Sequence, residues 1–150
     1  MNERLRGTVW FVALQLVFMA ALAHLALGLW NWARWVDAGF LLPRDVRWPV
    51  FVASALAIYY GIHRALYADD RRPYYLAGIV VMLGYAVGYF LWHLIGHPAG
   101  LDPSTWFANE TISLQWFLDH LFAGPVEFFA IAVEVSAAVL LAVLYITAPD

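Results

Sequence analysis

The 150-residue chain contains no cysteine, which excludes disulfides, thiolate metal sites, iron–sulfur clusters and cysteine nucleophiles. Lysine is absent as well: all eight basic residues are arginine, set against eleven acidic ones. At a net charge of −3, binding of nucleic acid through a basic patch is not expected. Charge of either sign is scarce, at 13% of the residues where soluble chains carry about 25%. Apolar side chains stand in its place, with 64% of the chain hydrophobic and 17% aromatic. A chain of this composition dissolves in lipid.

A membrane span needs ~20 mainly apolar residues, and four stretches are long enough: Thr8–Trp30, Trp48–Tyr67, Tyr74–Ile95 and Leu118–Ile146. The expected fold is therefore all-α, an integral membrane bundle of four transmembrane helices. Because the connections are too short for a soluble domain, residues 1–150 read as one domain. The third connection, Ala99–Phe117, carries Leu101, Trp106, Phe107, Ile112, Leu114 and Trp116 and is too apolar for a free linker. It predicts a short amphipathic helix that begins near Asp102, Pro103 and Ser104 and lies on the membrane surface as a lid.

Arginine placement sets the orientation. Arg4, Arg6, Arg64, Arg71 and Arg72 precede the first span or surround the second connection, whereas Arg34, Arg44 and Arg47 lie in the first connection and the third has none. This bias predicts a cell-membrane protein with both termini in the cytoplasm. An alternative for the N-terminus is a signal peptide cleaved after Ala21-Leu22-Ala23, which would leave a fragment of the first apolar run too short to span. Pro49 and Pro73 fall in the first turns of their spans, where a missing amide hydrogen matters little. Pro125 lies inside the fourth stretch and either kinks it or marks its true start.

Ionisable groups in hydrocarbon cost at least ~2.5 kcal/mol each, so those inside the spans usually face protein and mark function. In one continuous fourth helix, His120, Glu127 and Glu134, seven residues apart, fall along one face. With the orientation above, His24, His93, His97 and His120 converge on the outer leaflet. His93 and His97, four residues apart, project from one helix face; with His120 and Glu127 they form a candidate transition-metal set. A zinc protease is excluded, since Trp92-His93-Leu94 lacks the neighbouring glutamate such an enzyme needs. His24 and His93, with small neighbours Ala23, Gly28 and Gly96, form a candidate pair of axial ligands for haem b. Tyr89 and Tyr85 continue the His93 face inward, opposite Glu127 and Glu134 as candidate catalytic, proton-handling groups. Each histidine alone is also compatible with a plain hydrogen bond to a nearby carbonyl, and the two polar stripes with a seam that fixes helix register. His63, near the inner end of the second span, reads as an interfacial anchor beside Tyr59 and Arg64.

Gly84 and Gly88 form G-x-x-x-G, read first as packing within the bundle and otherwise as a contact for a homo-oligomer or a larger membrane complex. The leading expectation is a small membrane protein whose His/Glu site binds a metal or haem and acts as a redox or proton-handling subunit. The alternatives are an accessory subunit without a cofactor, and a carrier or enzyme for a lipid or isoprenoid using Glu127 as general acid.

Overall fold

A computed structural model describes residues 1–43, 45–94 and 113–148. Among these residues all regular secondary structure is helical, without strands: α1 (Glu3–Asp37), α2 (Arg47–Leu66), α3 (Arg72–Leu94), α4 (Leu114–Leu121) and α5 (Pro125–Ile146). Four of them, α1, α2, α3 and α5, are long and apolar enough to cross a membrane.

Local sequence explains the helix ends. The Asn2 side chain accepts from the Leu5 amide at 2.8 Å and caps α1. At the other end Gly39, with φ of 88°, takes the left-handed conformation that follows a helix. There Gly39 N–H bonds the Val36 carbonyl, Phe40 N–H bonds that of Trp35, and the Trp35 and Phe40 rings meet edge to face at 5.5 Å. With 35 residues, α1 is ~52 Å long and outruns the ~30 Å hydrocarbon core. It therefore carries Trp32, Arg34 and Trp35 beyond the run that ends at Trp30.

Asp45 starts α2. Its carboxylate accepts from the Arg47 amide at 3.0 Å and pairs with the Arg47 guanidinium at 2.6 Å. That guanidinium also lies over the Trp48 ring (4.7 Å) and the Trp92 ring of α3 (4.2 Å), tying the start of α2 to the end of α3.

The fourth apolar stretch is two helices. α4 ends at Leu121, and Pro125 is the first residue of α5 after Gly124 as N-cap, so the proline marks a true start and no kink. His120 consequently does not share a helix with Glu127 and Glu134, and the three-residue face expected of one continuous helix does not exist. α4 overlaps only the end of the segment expected to be helical; its anticipated beginning at Asp102–Ser104 lies outside the described residues.

α1 packs on α2 and on α5, and α3 packs on α5, whereas α2 and α3 scarcely touch. The shared interior is built from small residues, Ala13, Ala20 and Ala21 of α1, Ala55 of α2, and Ala137 and Ala138 of α5, with Met82 and Leu144 the largest side chains wholly enclosed. Small residues let helix backbones come close where lipid supplies no hydrophobic drive between helices. A Cβ on Gly28 would meet Val52 Cγ2 at 2.8 Å and the Trp48 carbonyl at 2.9 Å, so α1 and α2 nearly touch there. A Cβ on Gly78 would meet Leu141 at 2.7 Å. Around Gly84 and Gly88 there is open space within 4 Å. Among the described residues nothing packs closely on the G-x-x-x-G pair; Gly28 and Gly78 provide the close approaches instead.

Candidate functional site

Each of the four long helices contributes to one polar cluster in an otherwise apolar interior. His24 comes from α1, Ser54 and Phe51 from α2, Tyr85 from α3 and Glu134 from α5. His24 (7% exposed) and Glu134 (3%) are the two buried polar residues among those described. The alanines one turn away, Ala20 and Ala21 on α1 and Ala137 and Ala138 on α5, let the two backbones approach closely enough for these side chains to meet.

The His24 ring is fixed on every side. Its Nδ1 lies 2.9 Å from the Ala20 carbonyl, four residues back, and donates to it. A neutral ring so bonded leaves Nε2 as an acceptor, and Nε2 faces Glu134 Oε1 at 3.5 Å. The Tyr85 ring stacks on the imidazole at 3.7 Å with a 6° interplanar angle, and Phe51 meets it edge-on at 4.6 Å. The Tyr85 hydroxyl donates to Ser54 Oγ at 2.5 Å, and Ser54 in turn donates to the Val50 carbonyl at 2.7 Å.

Electrostatics limits how this pair exists. An isolated carboxylate in a dry interior costs several kcal/mol or more, and so does an isolated imidazolium. Sharing one proton, on the Glu134 carboxyl or on Nε2, would keep the pair net neutral and avoid both costs. At 3.5 Å the contact is longer than a formed hydrogen bond of about 2.7–3.2 Å. The arrangement sets an imidazole nitrogen and a carboxyl oxygen, each able to hold a proton, face to face in an apolar interior.

A second histidine pair lies where α3 ends. His93 Nδ1 bonds the Tyr89 carbonyl and His120 Nδ1 the Trp116 carbonyl, each at 2.8 Å, and the ring centroids are 5.0 Å apart. The Tyr89 hydroxyl donates to the His120 carbonyl at 2.9 Å, joining α3 to α4. His97, expected as a further ligand, lies outside the described residues.

Glu127 lies within electrostatic range of Tyr89, beside the second histidine pair. It occupies the third position of α5 and curls back over its own N-cap, so that a Cβ on Gly124 would collide with its carboxylate. A glutamate there suits the open amides and positive end of the helix. Among the described residues no three His, Asp or Glu side chains are grouped to hold a metal. The haem pairing is not supported either: His24 turns its Nε2 to Glu134, and Tyr85 and Phe51 occupy its ring face and edge. His63 packs against Tyr67 at 5.2 Å, while Tyr59 meets Phe18 at 5.4 Å.

Sequence reasoning set Tyr85 opposite Glu134, paired His24 with His93 and passed over Ser54 and Phe51. The available signal was the small-residue pair beside each ionisable group, Ala20-Ala21 before His24 and Ala137-Ala138 after Glu134. Family models, curated proteins and solved structures show no match to this chain.

Proposed function

We propose that this protein is a proton-handling membrane subunit in which His24 and Glu134 hold and exchange one proton between four transmembrane helices packed as a single bundle. The observation that carries the reading is the buried Nε2-to-Oε1 contact at 3.5 Å, with a group from every long helix around it. Intramembrane ionisable residues are costly and are characteristic of proton relays. The stacked Tyr85 and its Ser54 partner keep the imidazole in place, so that Nε2 stays aimed at the carboxyl as the proton moves. In this reading Glu134 and His24 are the groups that bind the proton, and both termini face the cytoplasm, as the arginine bias favours.

Proton flux into proteoliposomes, driven by a potassium diffusion potential and followed with an entrapped pH dye, tests the function. The wild-type protein is expected to exceed protein-free vesicles and Glu134→Gln to fall to their level. Equal flux in both proteins would reduce the pair to a structural seam. Reporter fusions at Asp102 and Asp150 test the orientation, and a cytoplasmic Asp102 fusion would reverse it.

A second reading concerns partners. Gly84 and Gly88 leave open space on α3 beside the exposed Val80, Val87 and Leu91, a surface suited to a neighbouring helix from a second copy or a larger complex. Gly84→Leu is expected to change the oligomeric state or the co-purifying partner while leaving the fold intact.

A further inference from the structure

α2 and α3 scarcely touch, and the gap between them is a cleft of about 300 Å³. It runs from the α2–α3 turn, where Leu66, Tyr74 and Trp10 line it, inward to Ser54 and Met82. Its walls are almost wholly apolar. The volume sits at the lower end of ligand pockets, about 300–1,000 Å³. At the deep end Ser54 has no hydrogen left to donate to a ligand, since it accepts from the Tyr85 hydroxyl and donates its own to a backbone carbonyl. Polarity and positive charge are concentrated at the mouth. There the Arg71 guanidinium lies over the ring of Trp10 at 5.5 Å and reaches the Leu66 carbonyl at 3.5 Å. Arg64, fully exposed, stands beside Tyr74.

We propose that this cleft holds one acyl chain of an anionic phospholipid whose headgroup rests on Arg64 and Arg71. The inference stands independently of the proton reading. Lipid tails are as apolar as the cleft walls, so burial of the chain alone selects no lipid; selection has to come from the head. Among the described residues this end of the molecule carries Arg4, Arg6, Arg64, Arg71 and Arg72 against Glu3, Asp69 and Asp70, an excess of positive charge. Arginines near a membrane surface favour anionic headgroups, and two of them, partly offset by Asp69 and Asp70, are worth on the order of tenfold in preference.

The test is native mass spectrometry of the whole protein released from vesicles of equal phosphatidylglycerol and phosphatidylcholine. The wild type is expected to retain one phosphatidylglycerol per chain, favoured by about tenfold over phosphatidylcholine. Gly61 lines the cleft and a Cβ there meets nothing within 4 Å, so Gly61→Leu fills it without a backbone clash and is expected to abolish retention of either lipid. Arg64→Gln with Arg71→Gln is expected to bring the ratio of the two lipids to about one. If that double variant does not fold, raising the salt concentration with the wild type reads the same electrostatic preference. Equal retention of both lipids by the wild type would overturn the assignment of the headgroup. Undiminished retention by Gly61→Leu would overturn the cleft as the binding place.

Discussion

His24 and His120 make the same local bond, Nδ1 to the carbonyl four residues back, yet they sit in unlike surroundings. His24 is enclosed, stacked on Tyr85 and aimed at the buried carboxyl of Glu134. His120 is half-buried on a short helix, packed on Trp116 and edge-on to His93, and among the described residues it belongs to no group of three side chains that could hold a metal. A histidine's own helical turn thus orients its ring, and the packing of distant helices decides what the free nitrogen does. Chemistry follows the second factor.

The strongest way to break this comparison is to remove one member of the deep pair. Glu134→Ala or His24→Ala strands the other group in the interior, and a loss of about 3–5 kcal/mol is expected in reversible detergent unfolding. His24→Leu combined with Glu134→Met should recover most of that loss, because two apolar side chains replace the pair without a stranded charge. Recovery of stability without recovery of proton flux would show that the pair is kept for something other than folding. If His24→Ala costs no more than His120→Ala, the two regions are energetically alike and the contrast fails.

The next contrast is between glycines. Gly28→Ala pushes a methyl into Val52 and the Trp48 carbonyl, with an expected cost of about 1–3 kcal/mol as α1 and α2 separate. Gly84→Ala meets open space and is expected to be neutral or to stabilise by about 0.5–1 kcal/mol through helix propensity. Thermal unfolding of the two variants side by side checks both signs.

A smaller effect separates the tyrosines. Tyr85→Phe keeps the ring on His24 but deletes the bond to Ser54, for about 1 kcal/mol. Tyr89→Phe deletes a bond to the His120 carbonyl in a more open place and should cost less. The smallest change is expected for His120→Ala, below about 1 kcal/mol, since its lost bond is replaced by water or lipid headgroups. A loss at His120 as large as at His24 would move the centre of the molecule to the end of α3.

Helix count and placement were legible because length and hydropathy are local properties: each of the four apolar runs contains or overlaps a long helix. The break at Pro125 was legible as one of two outcomes, and Gly124 before it, free of a side chain where Glu127 folds back, decided for a new helix. The pairing of His24 with Glu134 was not legible, because it depends on which faces of α1 and α5 meet across 110 residues of sequence. Heptad spacing suggested that Glu134 belonged with Glu127 and His120, but spacing specifies a face only while the helix is unbroken. Gly84 and Gly88 misled in the opposite way: a small-residue motif permits close packing without saying which helix takes it up.

The central claim, that one exchangeable proton resides between His24 and Glu134, is tested most directly by pH-difference infrared spectroscopy of the protein in lipid. The account predicts a carboxyl C=O band that disappears in Glu134→Gln, shifts in His24→Asn and is unchanged in His120→Ala. A difference spectrum unaltered by Glu134→Gln would contradict it.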